Sequence, residues 1–425
     1  MLKNNKLKNF WKYLGPGLIT GASDDEPSGI ATYTIAGAKF GLDVLWMSLY
    51  TLPFMIAVQE MSARIGRVSG KGLTGNIKKY YPKWILYTVA GLIVLVNTIN
   101  IGSDMAAMAD SIAIITPFPE KITAIFLTIV ILVMMVVLPY QRIFSVFKWL
   151  ALSLLSYILA TAWINIEWLK VFYHLFLPTI IPTKDFFITM AAFFGTTIAP
   201  YLFFWQANQE VEERMIEQCK PGRICRLKPV TEDELNKLRL DTRIGMTFSN
   251  VITFFIIIIT NATLFRAGIT NVESLKEAAE ALKPLAGDYA HALFTLGILS
   301  SGFLAIPILA GSAGYVIAEI FGWNQGLNKT FEKAKEFYGV IIASTLIGLL
   351  IPLLGIDPVK ALFYTSILYG IISPVVIAVI IHMANNKKIM GDHINGSTMN
   401  FVGVATLIVM TFVAIIAIYS INGNI

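Results

Sequence analysis

Long apolar runs follow one another through the whole chain, and short polar segments separate them. The runs cover residues 13–40, 43–63, 84–109, 122–139, 147–169 and 186–206, then 244–265, 290–321, 337–355, 361–383 and 399–421. An α-helix needs about 20 predominantly apolar residues to cross a bilayer core of about 30 Å. The pattern therefore predicts an all-α membrane protein with eleven transmembrane helices. Two of the runs are interrupted. The first is broken by "SDDEPSG" (Ser23–Gly29), and the sixth by "GTTIAP" (Gly195–Pro200).

The two breaks hold matching positions if the chain is two five-helix halves followed by one extra helix. Five helices per half force the halves into opposite orientation. Interrupted segments at corresponding places in two halves are the sequence mark of a midplane binding site in a secondary transporter. The expected organisation is one transmembrane domain over residues 1–425. Its first repeat spans 11–175, its inverted second repeat 183–385, and its extra helix 397–422.

Composition agrees. Of 425 residues, 56% are hydrophobic and 14% charged, and the mean hydropathy is +0.68. Soluble domains carry about 25% charged residues. The net charge of +6 and the pI near 9 follow from topology, so no nucleic-acid partner is expected. With the N-terminus placed in the cytoplasm, 25 of the 33 Lys and Arg residues fall on the cytoplasmic side and 8 on the other. That asymmetry predicts a multi-pass protein of the cell membrane, N-terminus in and C-terminus out. The basic start "MLKNNKLKNFWK" precedes a short apolar stretch that runs into acids, which does not read as a cleaved signal. Cys219 and Cys225 fall in the largest cytoplasmic loop and read as free thiols, with no histidine near enough in sequence for a zinc site. The lipid bilayer is the one assembly partner required. The sequence carries no signal for an oligomer, and a monomer suffices.

The first break raises the chemical question, because it places Asp24, Asp25 and Glu26 in the middle of a hydrophobic span. An ionised carboxylate costs several kcal/mol in a low-dielectric interior even after relaxation. A water-exposed turn between two short helices would avoid that cost, but it would shift every later helix by one crossing and spoil the charge asymmetry. The alternative is that water or a cation reaches the acids at membrane depth. In an intact helix three consecutive side chains fan out by about 100° each. Pro27 disfavours helical dihedrals at Glu26, and Gly29 permits reorganisation, so an unwound segment is expected to bring the carboxylates toward one point. The half-helix ending there also presents the negative end of its dipole.

The available donors are oxygens: the three carboxylates, Ser28, and the hydroxyls and carbonyls around Thr196 and Thr197. Neither break holds Met, His or Cys. Oxygen donors suit Mg²⁺, Ca²⁺ and Mn²⁺. Mg²⁺ keeps several waters and binds through one or two carboxylates. In the third span Asn97, Asn100 and Asp104 share one helical face, as further ligands or as an interhelical hydrogen-bonding face. Glu60 and Glu210 are assigned to a cytoplasmic vestibule. "TEDE" (Thr231–Glu234) reads as a capping box opening a short amphipathic connector, and 270–283 as a helix on the outer side.

The stretches "YLGPGLITGASDDEPSGIATYTIAGAKFGLDVLW", "AVQEMSARIGRVSGKGLTGNI" and "APYLFFWQANQEVEE" resemble the Nramp family of divalent-metal transporters, and the similarity runs over all eleven spans. The resemblance implies the LeuT-type inverted-repeat fold and metal transport by alternating access. It also locates departures. The family's Asp-Pro-Gly-Asn becomes Glu26-Pro27-Ser28-Gly29, so Glu26 takes the place of the metal-binding Asp, and the Asn ligand is lost at Gly29. The metal-binding Met of the sixth span becomes Ala199, and the carbonyl-donating position three residues earlier becomes Thr196. A histidine tied to proton movement becomes Tyr201. Asp104 matches a family acid, while the glutamate one turn on becomes Ala107.

This pattern resembles the Nramp-related magnesium transporter branch. It implies a larger, more hydrated site made by Asp24, Asp25, Glu26, Thr196, Asn100 and Asp104, with transport not tightly coupled to protons. The metal is then cargo and no cofactor is implied. The alternative within the family is a proton-coupled Mn²⁺/Fe²⁺ importer. An intramembrane Mg²⁺-dependent enzyme acting on a diphosphate would want a second acidic cluster within a span, which the sequence lacks. An amino-acid carrier would place its substrate's carboxylate against three acids.

Overall fold

A computed structural model of the chain describes residues 16–138, 154–218, 227–283 and 287–421, and all regular structure among them is helical. The first crossing is two half-helices, α1 (Pro16–Asp24) and α2 (Pro27–Phe40), with only Asp25 and Glu26 between them. Pro27 begins α2, where its missing N–H would have had no partner anyway. Glu26 ahead of it is extended, at φ −68° and ψ 169°. There follow α3 (Leu45–Ser69), the short α4 (Leu73–Tyr80), α5 (Lys83–Ile115) and α6 (Glu120–Val137).

The sixth crossing repeats the device of the first. Helix α7 (Lys184–Thr197) and α8 (Pro200–Gln218) are separated by two residues, Ile198 and Ala199, again just before a proline. The remaining long helices are α9 (Glu232–Thr260), α10 (Ala290–Phe321), α11 (Lys335–Gly348), α12 (Pro358–Ala384) and α13 (Ser397–Ile421). Among the described residues nine helical stretches are long and apolar enough to cross a membrane, with α2 and α3 counted as one stretch and α1 too short to count. Part of the expected fifth crossing, and Cys219 and Cys225, lie outside the described residues.

Two expectations about helix limits are corrected. The fifth crossing ends at Trp163 rather than 169, because Trp168–Phe176 forms a separate helix. The "TEDE" capping box is real, with Glu234 N donating to Thr231 Oγ1 at 3.3 Å and Thr231 N donating to Glu234 Oε2 at 2.7 Å. It opens α9 itself, not a separate connector. The charged first turns of α9 continue as helix because tertiary partners receive them: Arg239 and Arg243 both reach Glu60 on α3, at 3.2 and 3.4 Å. On the outer side, Leu275–Ala279 is helical as expected.

The broken sixth crossing is the centre of the bundle. Its most apolar stretch is 89% buried, against 33% for α6 and α13, which sit at the rim. Helix α1 packs on α9, and α2 on α7, α9 and α12. Lipid-immersed helices associate through small residues that let backbones approach. Here Gly21 and Gly245 meet backbone to backbone, so a Cβ on Gly21 would fall on the Gly245 carbonyl. At the other break, a Cβ on Gly195 of α7 would meet the Ser366 carbonyl and the Gly370 amide of α12. The polar start of α1 is held from α9 as well: Gly17 N and Leu18 N donate to the Asp241 carboxylate at 2.6 and 3.3 Å.

Gly245→Val is expected to force α1 away from α9 and to destabilise the protein by about 3 kcal/mol or more. Thermal unfolding in detergent checks this against Gly297→Val, whose added Cβ meets nothing within 4 Å and which should leave the midpoint unchanged.

Candidate ion site at the helix breaks

The two breaks lie side by side inside the bundle, and four carboxyl groups gather around them. Asp24, Asp25 and Asp104 are 0% exposed and Glu26 is 1% exposed. Glu26 Oε1 accepts from Ser28 Oγ at 2.6 Å and from Asn100 Nδ2 of α5 at 2.8 Å. One turn along α5, the Asp104 carboxyl lies within electrostatic reach of Glu26 and close to the Ser28 backbone. On the other side of the break, Ser249 Oγ of α9 serves two acids, at 2.7 Å from Asp24 Oδ2 and 3.3 Å from Asp25 Oδ1.

The exposed backbone at the breaks is satisfied by side chains, as burial requires. Tyr201 donates its hydroxyl to the Ser23 carbonyl at 3.0 Å, so α8 closes the end of α1. Ser373 donates to the Ile198 carbonyl at 3.1 Å. Tyr33 OH and Thr197 Oγ1 lie 3.0 Å apart and tie α2 to α7. Thr197 is thereby occupied, whereas Thr196 Oγ1 has no hydrogen-bond partner. That hydroxyl faces the first break, 3.4 Å from the point where a Cβ on Gly29 would stand.

The set of buried oxygens with no hydrogen-bond partner defines the site. It comprises Asp24 Oδ1, Asp25 Oδ2, Glu26 Oε2, Asn100 Oδ1, both Asp104 oxygens, Thr196 Oγ1 and Thr253 Oγ1. Buried polar atoms are nearly always paired, so such a concentration marks a place for a ligand. Among the described residues none of the four carboxyls has a Lys, Arg or His within 4.0 Å, and the ion pairs lie elsewhere. The acids do not close on one point: no three His, Cys, Asp or Glu side chains among the described residues form a metal cage. By hydrogen-bond partner they fall into two pairs, since Asp24 and Asp25 share Ser249 while Glu26 and Asp104 face Ser28 and α5, and Asp24 also lies within electrostatic reach of Glu26.

All six residues expected at the site are therefore buried around the breaks. Asn97 is not among them, since it donates to the Leu309 carbonyl at 3.2 Å and accepts from Tyr369 at 3.0 Å, the interhelical role. Ser249 and Thr253 are the members that sequence reasoning missed. The available signal was a row of small and hydroxylated residues at a spacing of four in an otherwise apolar helix, Gly245, Ser249 and Thr253.

Further polar ties link the helices away from the acids. Gln59 Nε2 donates to Gln206 Oε1 at 2.5 Å, and Gln206 Nε2 to Thr242 Oγ1 at 2.9 Å, linking α3, α8 and α9. Beyond them Arg67 approaches Glu210, Glu213, Glu217 and Glu234 at 3.8, 3.8, 2.5 and 3.6 Å. Glu210 thus belongs to this network, and Glu60 pairs with Arg239 and Arg243, so both acids lie outside the group at the breaks.

A family profile described as natural resistance-associated macrophage protein-like matches residues 17–420. The divalent metal cation transporter MntH of Caldanaerobacter subterraneus subsp. tengcongensis is 25% identical over 417 residues, covering 97% of this chain and 93% of its own. The MntH of Clostridium acetobutylicum is 23% identical over 422 residues, with 95% and 90% covered. A manganese transporter from Eremococcus coleocola, solved with an aromatic bis-isothiourea compound, superposes with a TM-score of 0.78 at 16% identity, over 97% of this chain and 87% of that one. The nucleobase-cation-symport-1 transporter Mhp1 superposes at 0.54 with 13% identity, over 97% and 93%. The architecture is the LeuT-type fold of multi-pass membrane transporters, not that of an enzyme. A profile match across nearly the whole chain places this protein in the Nramp family.

Proposed function

We propose that the chain carries a hard divalent cation, Mg²⁺ and also Mn²⁺, across the cell membrane by alternating access. The ion binds at the helix breaks with Asp24, Asp25, Glu26, Asn100, Asp104 and Thr196 as ligands, directly or through water. The observation that carries this is the cluster of unpartnered oxygens around four buried acids without a basic neighbour. Carboxylates, an amide and a hydroxyl suit hard cations, and the absence of a closed carboxylate cage suits an ion that keeps part of its water. The relatives named as divalent metal cation transporters support the substrate class.

Ala199, where a soft ligand would select transition metals, offers only a methyl group, and it is buried beside the second break. Tyr201 donates to the Ser23 carbonyl where the family carries a histidine, which supports a backbone-satisfying role at this position. Transport then runs down the Mg²⁺ gradient and the membrane potential, without tight proton coupling. The N-terminus lies in the cytoplasm and the C-terminus outside, with 11–175 and 183–385 as the inverted repeats and 397–422 as the extra helix.

Asp25→Ala and Glu26→Ala are each expected to reduce Mg²⁺ flux into proteoliposomes to background while the protein keeps its elution volume. Wild-type flux in both refutes the site. Ala199→Met should raise transition-metal uptake relative to Mg²⁺ in the same assay, since it restores a thioether. A pH-sensitive dye inside the vesicles should stay constant during Mg²⁺ uptake. Acidification that follows metal entry would instead establish the proton-coupled Mn²⁺/Fe²⁺ importer.

A further inference from the structure

The charge at the helix breaks exceeds what one ion can balance. Four buried carboxyls lie there, a divalent cation neutralises two, and no basic side chain among the described residues pairs with the others. The geometry divides the acids in the same proportion. Glu26 and Asp104 face Asn100, Ser28 and α5. Asp24 and Asp25 face α9, where Ser249 Oγ stands between their carboxyls at 2.7 and 3.3 Å. A hydroxyl has one proton to donate, so Ser249 can satisfy only one of the two oxygens it approaches, and Asp24 Oδ1 and Asp25 Oδ2 have no hydrogen-bond partner.

One turn further along the same face of α9, the buried Thr253 Oγ1 stands beside Asp25 and turned toward its carboxyl. The buried Tyr157 hydroxyl is unpartnered too and lies within electrostatic reach of Asp25. Asp24 and Asp25 stand outside the four residues, Glu26 to Gly29, that match the family's first-span motif, so they add acids to that pattern.

We infer that the six ligands proposed above serve two stations for hard cations: Asp24 and Asp25, with Ser249 and Thr253 of α9, hold one, and Glu26, Asn100, Asp104 and Thr196 hold the other. This station rests on the ion site proposed above. Two carboxylates, two hydroxyls and water supply the oxygen shell that Mg²⁺ or Mn²⁺ takes. The two stations adjoin at the first break, where Asp24 lies within electrostatic reach of Glu26. An ion at one repels an ion at the other, so each lowers the other's affinity and eases departure, as adjacent sites do in conducting pores.

Manganese is the probe. Crystals of the full chain soaked in saturating MnCl₂ are expected to show two anomalous peaks, one between Asp24 and Asp25 beside Ser249 and one beside Glu26. Titration in detergent should return two Mn²⁺ per chain. Ser249→Ala with Thr253→Val should weaken the first station about tenfold or more and leave the peak beside Glu26 in place. A single wild-type peak at saturation, with one Mn²⁺ per chain, overturns the second station and assigns the remaining charge to protons. No peak at all overturns the central ion site as well, so the two failures are distinguishable. Because the wild-type protein decides the question, misfolding of the double variant does not affect it.

Discussion

Four carboxyl groups buried together, with no basic partner among the described residues, are the constraint on which this molecule is built. Each ion so placed costs several kcal/mol, and like charges at close range add to the cost. A purely structural role would be served better by apolar residues of the same size. The bundle instead surrounds Asp24, Asp25, Glu26 and Asp104 with oxygens and leaves many of them without hydrogen bonds. The arrangement is stable when positive charge is supplied from outside the chain, and that is the condition under which a carrier should hold its ion.

Breaking two helices is what makes the arrangement possible. Each crossing is interrupted for two residues immediately before a proline, Asp25 and Glu26 in one, Ile198 and Ala199 in the other. The interruption turns consecutive side chains away from helical spacing and opens carbonyls that would otherwise be internally bonded. Backbone freed at membrane depth must be satisfied. Tyr201 does this for Ser23, and Ser373 does it for Ile198. The same two breaks are kept adjacent by close helix contacts, Gly21 on Gly245 and Gly195 on Gly370. Small residues, not hydrophobic force, hold helices together in lipid.

The polar ties away from the acids show a second use of buried charge. Glu60 and Arg67 sit in networks whose partners come from α3, α8 and α9. The Gln59–Gln206–Thr242 chain lies between that network and the ion site.

Much of this was legible in the chain alone. Apolar run lengths set the crossings, the lysines and arginines set the expected orientation, and proline after three acids located the first break, because each depends on local chemistry or on the bilayer. Glu26, Thr196 and the face of α5 carrying Asn100 and Asp104 could be named for the same reason. Only the tertiary structure decided that the acids divide into two groups, that Ser249 bridges Asp24 and Asp25, that Asn97 is a structural bond, and that the "TEDE" box opens a long crossing helix. Those outcomes depend on how α1, α5 and α9 cross, which is set by contacts between residues 74 to 225 positions apart. Spacing along one helix carries no record of what another helix places opposite it.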